Sequence, residues 1–234
     1  GSYSLKSDMA IKTGEFNDGA LKLWEQENLP EELAPYIQAL KKQNKKESLS
    51  YYPGSPQVAL SFLRSNDAMR LFELHPKDAE ILKKNTPSKN RYQVEHKDGY
   101  EGLKSALPPV SRRGVVLIDP SYELKSEYRA SIKAIEMGVK RFSTGTYMLW
   151  YPVVDRKLVQ GMEKYWVKTG IKNVLQVEYC REPDSLGYGM TGTGLFIVNP
   201  PWQLASQMTT VMETMNRYMD SGKAVSRVVQ LVAE

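Results

Sequence analysis

Short apolar segments alternate with helical segments from about residue 68 to the C-terminus, and this alternation is the feature that most constrains the fold. Strands that alternate with helices in this way form a largely parallel sheet with helices on both faces. The sequence therefore predicts an α/β fold with a mostly parallel sheet. The predicted strands are 69–74, 92–95, 115–118, 146–151, 174–179, 195–198 and 228–232.

The first fifty residues follow a different pattern, which is helical. Phe16, Ala20, Leu23 and Trp24 recur at the spacing of a single helix face. Pro30 is followed by two glutamates, which is typical of a helix start. We therefore predict helices over residues 16–46.

The scarcity of metal-binding side chains limits the chemistry available to the chain. Cys180 is the only cysteine, which excludes an intrachain disulfide framework and a zinc site built from several cysteines. His75 and His96 are the only histidines, and we interpret His75 as structural. No run of 18 apolar residues occurs, and the N-terminus lacks the apolar core of a signal peptide. We expect a soluble protein of a reducing, cytoplasmic compartment, with no membrane partner.

Three acidic residues follow three successive predicted strands. In open α/β sheets, ligands bind beyond the carboxyl ends of the strands, which makes these acids candidate ligand contacts. Glu73 could accept hydrogen bonds from both hydroxyls of a ribose, or it could be an ordinary solvated acid before the next helix. Asp98 could accept from an adenine amine, with Gly99 allowing close approach, or the pair could form an ordinary turn.

The third acid, Asp119, begins the tetrapeptide Asp-Pro-Ser-Tyr directly after the strand 115–118. An exocyclic base amine is a poor nucleophile because its lone pair is delocalised into the ring. The Asp119 carboxylate and the Pro120 carbonyl could each accept one N–H of such an amine, while the ring of Tyr122 stacks on the base. Because proline fixes the turn, both acceptors would be pre-placed. The alternative interpretation is a simple strand-ending turn.

A second tetrapeptide, Asn199–Trp202, follows the predicted strand 195–198 and also resembles an amine-methylating motif. Asp119 lies at the spacing from Glu73 and Asp98 that successive strand–helix units produce, whereas Asn199 comes 80 residues later. We therefore expect Asn199–Trp202 to be structural and to lie near the far edge of the sheet.

An ordered set of longer motifs across the chain resembles the RlmJ family, bacterial 23S rRNA adenine-N6 methyltransferases that depend on S-adenosylmethionine. The similarity extends from about residue 1 to the C-terminus, and it includes Asn199–Trp202. The motifs that carry it are Tyr51–Pro56, Glu73–Pro76, Lys97–Gly99, Leu107–Gly114, Leu117–Glu123 and Leu149–Val154.

The resemblance implies a class I methyltransferase fold with a helical insertion at about residues 1–50 and a core over 51–234. It implies that Glu73 holds the cofactor ribose, that Asp98 and Gly99 contact the cofactor adenine, and that Asp119 contributes to both cofactor and catalytic sites. Pro120 and Tyr122 complete the implied catalytic set. The implied cofactor is S-adenosylmethionine without a metal, the implied partner is 23S ribosomal RNA, and the expected state is a monomer.

Two departures from the family pattern qualify the expected activity. Ser121 replaces a family proline, which predicts a looser turn. The family's N-terminal strand and glycine-containing cofactor loop have no counterpart here, so we expect a sheet without its first strand and weak binding of S-adenosylmethionine by these 234 residues. Two other functions stay open: a DNA adenine methyltransferase, and a non-catalytic RNA-binding remnant.

Paired basic residues offer a weaker indication of RNA binding, because such pairs are common on solvated faces. The formal net charge of +5 permits a nucleic-acid partner without requiring one. The candidates for phosphate contacts are Lys41, Lys42, Lys45, Lys46, Arg112, Arg113, Lys140 and Arg141.

Overall fold

A computed structural model describes residues 2–5, 17, 19–44, 48–184, 189–219 and 222–234. The chain divides into two compact units, residues 1–102 and 103–234. The boundary expected at residue 50, between an insertion and a core, falls inside the first unit and stays a prediction.

Among the residues that the structure describes, the first unit contains two small two-stranded sheets and four complete α-helices. Strands β1 and β2 pair antiparallel, and strands β3 and β4 pair parallel. Proline occupies the first turn of α2, α3 and α4, where its missing N–H has no helical partner to lose. The elements are β1 (Ser2–Ser4), α1 (Ala20–Trp24), α2 (Ala34–Gln43), β2 (Tyr51–Pro53), α3 (Ser55–Phe62), β3 (Met69–Glu73), α4 (Pro76–Asn85) and β4 (Tyr92–His96).

The helices predicted over residues 16–46 are confirmed where this segment is described. Helices α1 and α2 occupy most of it, with a short 3₁₀ helix at Glu31–Leu33 before α2. Phe16, Lys45 and Lys46 lie outside the described residues.

The second unit is a five-stranded sheet with helices packed against it. Helix α5 (Gly99–Ala106) crosses the boundary between the two units. The remaining elements are β5 (Val115–Ile118), α6 (Glu127–Arg141), β6 (Thr146–Val153), α7 (Arg156–Thr169), β7 (Val174–Cys180), β8 (Gly192–Val198), α8 (Leu204–Met219) and β9 (Val225–Val232).

The sheet has the strand order β5-β6-β8-β7-β9. Strands β5 and β6 are parallel, while β8 is antiparallel to both of its neighbours and β9 is antiparallel to β7. Therefore β5, β6 and β7 all run in one direction, and their carboxyl ends define one edge of the sheet, called here the carboxyl edge. The opposite edge is called the amino edge. The α/β fold class expected from the sequence is confirmed.

Both faces of β7 are covered, which explains why all seven of its residues are buried. Alternate residues Leu175, Val177 and Tyr179 pack with Met212 of α8 on one face. On the other face of the sheet, the ring of Phe196 on β8 packs against the buried ring of Trp166 on α7. The centroids of these two rings are 5.8 Å apart. Within the described part of the chain, no helix is both long enough and apolar enough to span a bilayer.

Candidate functional site

Asp119 is the first residue after β5, at the carboxyl edge of the five-stranded sheet. The four apolar residues of β5 pair with β6, so the chain reaches this edge with the polar side chain immediately beyond the last strand residue. The residue is exposed as a whole, but partial burial of its carboxyl group raises the pKa of Asp119 above its ordinary value. An accessible acceptor therefore lies where ligands bind in open α/β sheets.

Tyr122, the last residue of the tetrapeptide, is held in a left-handed backbone conformation with φ of 54°. This conformation costs a non-glycine residue about 1 kcal/mol. The Tyr122 hydroxyl donates to the Trp150 carbonyl of β6 at 2.6 Å. Its ring centroid lies 4.5 Å from that of Tyr128 and 6.0 Å from that of Trp150, both at tilted angles. These contacts fix the ring of Tyr122, three residues after Asp119, and a strained backbone of this kind is common at functional sites.

Glu127, at the start of α6, also holds the turn. Its Oε2 accepts from the Leu124 backbone N–H at 3.2 Å and, more weakly, from the Ser121 hydroxyl at 3.5 Å. The serine that replaces the family proline thus has a hydrogen-bonding role that proline could not provide. Sequence analysis did not single out Glu127, Tyr128 or Trp150. Only Trp150 had a signal, since it lies within one of the family motifs.

We predict that Tyr122→Phe decreases methyl transfer only modestly, by about threefold to tenfold, because it removes one hydrogen bond but keeps the ring. Tyr122→Ala should decrease transfer about tenfold more, because base stacking on an aromatic ring contributes about 1–3 kcal/mol. Steady-state rates of both variants test this order. Equal losses would show that the ring has no separate role.

Glu73 and Asp98 lie together in the first unit, at the carboxyl ends of the parallel strands β3 and β4. Glu73 pairs in register with His96, so Asp98 comes two residues beyond the paired position. One oxygen of each carboxylate accepts a backbone N–H: Glu73 Oε1 from His75 at 2.8 Å and Asp98 Oδ1 from Tyr100 at 2.7 Å. Each acid therefore stabilises the local turn that follows its strand, which was the alternative interpretation to ligand binding.

The glycine identified from the sequence has space around it. A Cβ at Gly99 would lie 3.9 Å from the nearest neighbouring atom, Cβ of Phe72, which is ordinary contact. The packing of the chain therefore does not itself require glycine at this position. Gly102 was not identified from the sequence, yet a Cβ there would lie 2.4 Å from the Phe72 ring. His75 forms an exposed pair with Asp78 at 3.2 Å, in agreement with its structural interpretation.

The competing tetrapeptide Asn199–Trp202 lies at the amino edge, because β8 runs opposite to β5 and β6. The expectation that it lies near the far edge of the sheet is wrong, since β8 is the central strand. Strand direction separates it from Asp119 instead. The Asn199 side chain donates to the carbonyls of Ser143 at 2.8 Å and Gly145 at 2.9 Å, which is a structural role.

A buried ion pair near the carboxyl edge was also missed by sequence analysis. Arg156, in the first turn of α7, donates from Nη1 to both oxygens of Glu178 at 2.8 and 2.9 Å and from Nε to Asp184 at 2.8 Å. Tyr151 donates to the same Glu178 carboxylate at 2.9 Å. Because Glu178 is almost fully buried, these bonds supply the compensation that its charge requires. They also tie residue 184, in the connection after β7, to the body of the unit.

The comparison with known protein families identifies the chain. Residues 1–232 match the family model described as ribosomal RNA large subunit methyltransferase D, RlmJ. The chain belongs to the RlmJ family.

Individual RlmJ relatives agree with the family match. The chain is 43% identical to ribosomal RNA large subunit methyltransferase J of Escherichia coli over 235 residues, covering all of this chain and 84% of that protein. It is 46% identical to the protein of the same name from Haemophilus influenzae over 213 residues, covering 91% and 76% of the two chains. A crystal structure of a Legionella pneumophila protein superposes with a TM-score of 0.90 at 37% identity, covering 98% of this chain and 84% of that one.

The expected class of enzyme, a ribosomal RNA methyltransferase, is thus confirmed at the level of the RlmJ family. The roles of individual residues stay predictions. Asp119, Pro120 and Tyr122 lie together in the second unit, while Glu73, Asp98 and Gly99 lie together in the first. Among the described residues, no group of three or more histidine, cysteine, aspartate or glutamate side chains could hold a metal ion.

Proposed function

We propose that this RlmJ-family protein transfers a methyl group from S-adenosylmethionine to N6 of an adenosine in 23S ribosomal RNA. The observation that carries the proposal is the segment 119–122 at the carboxyl edge, where an exposed acid is followed, three residues later, by an aromatic ring fixed by a strained backbone and a hydrogen bond. Holding an amine requires a hydrogen-bond acceptor, and holding a base requires an aromatic ring on which it can stack.

In the proposed reaction, the Asp119 carboxylate and the Pro120 carbonyl each accept one hydrogen of the adenosine N6 amine. Two acceptors draw the nitrogen towards tetrahedral geometry and direct its lone pair at the methyl carbon. Tyr122 stacks on the base, which has been turned out of its helix to reach the protein. S-Adenosylmethionine, when bound, supplies a methyl group on a positively charged sulfur. Positioning by Asp119 and Pro120 would lower the barrier to forming the nitrogen–carbon bond as the carbon–sulfur bond breaks and its electron pair stays on sulfur. The surplus proton of the amine would leave through the Asp119 carboxylate to solvent.

Glu73 and Asp98 fit the proposed cofactor because they supply carboxylate oxygens at the ends of adjacent parallel strands. Glu73 would accept from the ribose hydroxyls and Asp98 from the adenine amine. The half-buried position of Glu73 strengthens such bonds, since competing water is partly excluded.

We predict that Glu73→Gln weakens binding of S-adenosylmethionine about tenfold to a hundredfold, because a charge-assisted hydrogen bond contributes about 1.5–3 kcal/mol. Calorimetry with the full-length gene product measures this without relying on turnover. Glu80→Gln, on the exposed face of α4, is the matched control and should leave binding unchanged. Equal affinities for the three proteins would remove Glu73 from the cofactor site.

The test of the proposed function is a methylation assay with the full-length gene product, radiolabelled S-adenosylmethionine and protein-free 23S rRNA. Digestion to nucleosides should yield labelled N6-methyladenosine. Greater transfer to adenine in duplex DNA would favour the DNA methyltransferase alternative. RNA binding without transfer to either substrate would favour the non-catalytic remnant. The cytoplasmic location and the monomeric state stay predictions.

A further inference from the structure

The amino edge of the five-stranded sheet is strongly positively charged. Its connections and adjoining last helical turns contain seven basic residues, and the only acidic residue in these segments is Glu234. These segments therefore carry a formal excess of six positive charges. The seven basic residues, all exposed, are Lys104, Arg112, Arg113, Lys140, Arg141, Lys168 and Lys172.

The carboxyl edge has no such excess. The described residues of its connections and adjoining helical turns include six acidic and seven basic residues, so that edge is nearly neutral. The basic character of the chain is therefore concentrated on the side opposite to Asp119. Along β5 alone the two edges are about 13 Å apart, which is the length of four strand residues.

Hydrogen bonds join the connections of the amino edge into a continuous surface. Arg141 Nε donates to the Leu107 carbonyl at 3.1 Å, which joins the end of α6 to the connection before β5. The Asn199 N–H donates to the Asn173 carbonyl at 3.0 Å, and the Asn199 side chain reaches Ser143 and Gly145. The basic side chains therefore project from a scaffold with a fixed geometry.

The positive charges of Arg112, Arg113, Lys140, Arg141, Lys168 and Lys172 are not neutralised by acids. None of these six residues forms an ion pair with an acid among the described residues, and Arg141 uses Nε in its bond to the Leu107 carbonyl. Arg112 has φ of 53°, a left-handed conformation that disfavours arginine, and the turn that imposes it is closed by its N–H bond to Pro109 at 2.9 Å. Strain of this kind is retained where the side chain has a use.

An exposed aromatic ring and a cavity accompany the basic residues. Trp202 is 89% exposed, immediately after the segment that Asn199 anchors. At the same edge, a cavity of about 320 Å³ is lined by residues that include Ser143, Thr169, Lys172 and Asn199. Proteins that bind single-stranded nucleic acids combine basic residues, which contact the backbone, with exposed aromatic rings, on which bases stack.

From these features we propose that the amino edge is a second RNA-docking surface, which binds backbone phosphates of the substrate RNA remote from the target adenosine. This inference rests on the proposed function for the identity of the RNA. RNA has the complementary charge because negative phosphates repeat along its backbone. When basic side chains of a protein bind these phosphates, the counterions bound to the RNA are released, which favours binding. A substrate that contacts both edges must extend well beyond the target nucleotide.

The test compares two double variants of the full-length gene product that remove the same charge. Arg112→Gln with Lys172→Gln changes the amino edge, and Lys133→Gln with Lys164→Gln changes exposed faces of α6 and α7. Affinity for protein-free 23S rRNA is measured by filter binding over a range of salt concentrations. We expect the amino-edge variant to bind about tenfold more weakly and to lose about 1.5 from the slope of log K against log salt, while the control changes little.

Methyl transfer to a short stem-loop that carries the target adenosine provides the second measurement. The amino-edge variant should keep the parental kcat and KM on this RNA while its KM for 23S rRNA rises. Equal binding and equal salt slopes in the two double variants would overturn the proposal, leaving a merely solvated surface. Failure of the unmodified protein to methylate either RNA would instead contradict the proposed function, and the binding comparison would still test the surface.

Discussion

Asp119→Asn is expected to decrease kcat for methyl transfer at least about a hundredfold while the protein stays folded. Loss of one pre-placed polar group at a reacting centre typically has an effect of this size. The substitution keeps the shape of the side chain but replaces a charged acceptor with an amide, which can present a donor to the amine hydrogens. Rates with saturating RNA and S-adenosylmethionine, together with thermal unfolding, measure both parts of the expectation.

The raised pKa of Asp119 gives this prediction a pH dependence. Protonation removes the charged acceptor, so kcat should fall as the pH decreases through a value above the ordinary aspartate pKa. Because burial disfavours the charged form in the folded protein, ionised Asp119 lowers stability at neutral pH, and Asp119→Asn should not lower the melting temperature. Glu123→Gln, an exposed acid in the same connection, is the control and should retain activity. Near-parental transfer by Asp119→Asn would contradict its assigned role.

Arg156→Met is expected to lower the free energy of unfolding by about 3–5 kcal/mol, because it leaves the Glu178 carboxylate buried without a compensating charge. The Glu178 side chain is 2% exposed and the Arg156 side chain 22%, so water compensates little for the loss. Denaturant unfolding measures the change. Adding Glu178→Gln to Arg156→Met should recover part of the stability, since the unpaired charge is then also removed.

A more exposed ion pair in the same unit provides the control. Arg227 contacts Glu163 at 3.1 Å, with side chains 36% and 19% exposed. Arg227→Met should therefore lower the free energy of unfolding by no more than about 1 kcal/mol. If Arg156→Met and Arg227→Met lower the free energy of unfolding by the same amount, the burial of the Arg156–Glu178 pair does not explain its contribution to stability.

The strands and helices of the second unit could be predicted from the sequence, whereas the direction of the strands could not. Apolar segments such as 174–179 and 195–198 indicate strands because their side chains favour burial, but burial does not depend on direction. The predicted strands 174–179 and 195–198 leave fifteen residues between them, which is enough for a crossover between parallel strands. The observed strands are longer and leave only eleven residues between β7 and β8, which form an antiparallel pair.

The candidate site was predictable to a similar extent. The acids that end strands could be located, because the position of a residue after a strand fixes the edge of the sheet on which it lies. The contacts of Tyr122 with Trp150 and Tyr128 could not, since they join residues that are distant in sequence and depend on a left-handed backbone at a residue type that rarely adopts it. The Arg156–Glu178 pair was missed because charged residues in a strand are usually exposed.

The environment of Cys180 has a practical consequence for spectroscopy. The side chain is buried, and burial together with the neighbouring Glu178 carboxylate raises the thiol pKa to about 11. Alkylating dyes and spin labels react with thiolates, which this residue scarcely forms at neutral pH. Since the chain has no other cysteine, a thiol introduced on any exposed loop can carry a fluorophore without first mutating the natural one.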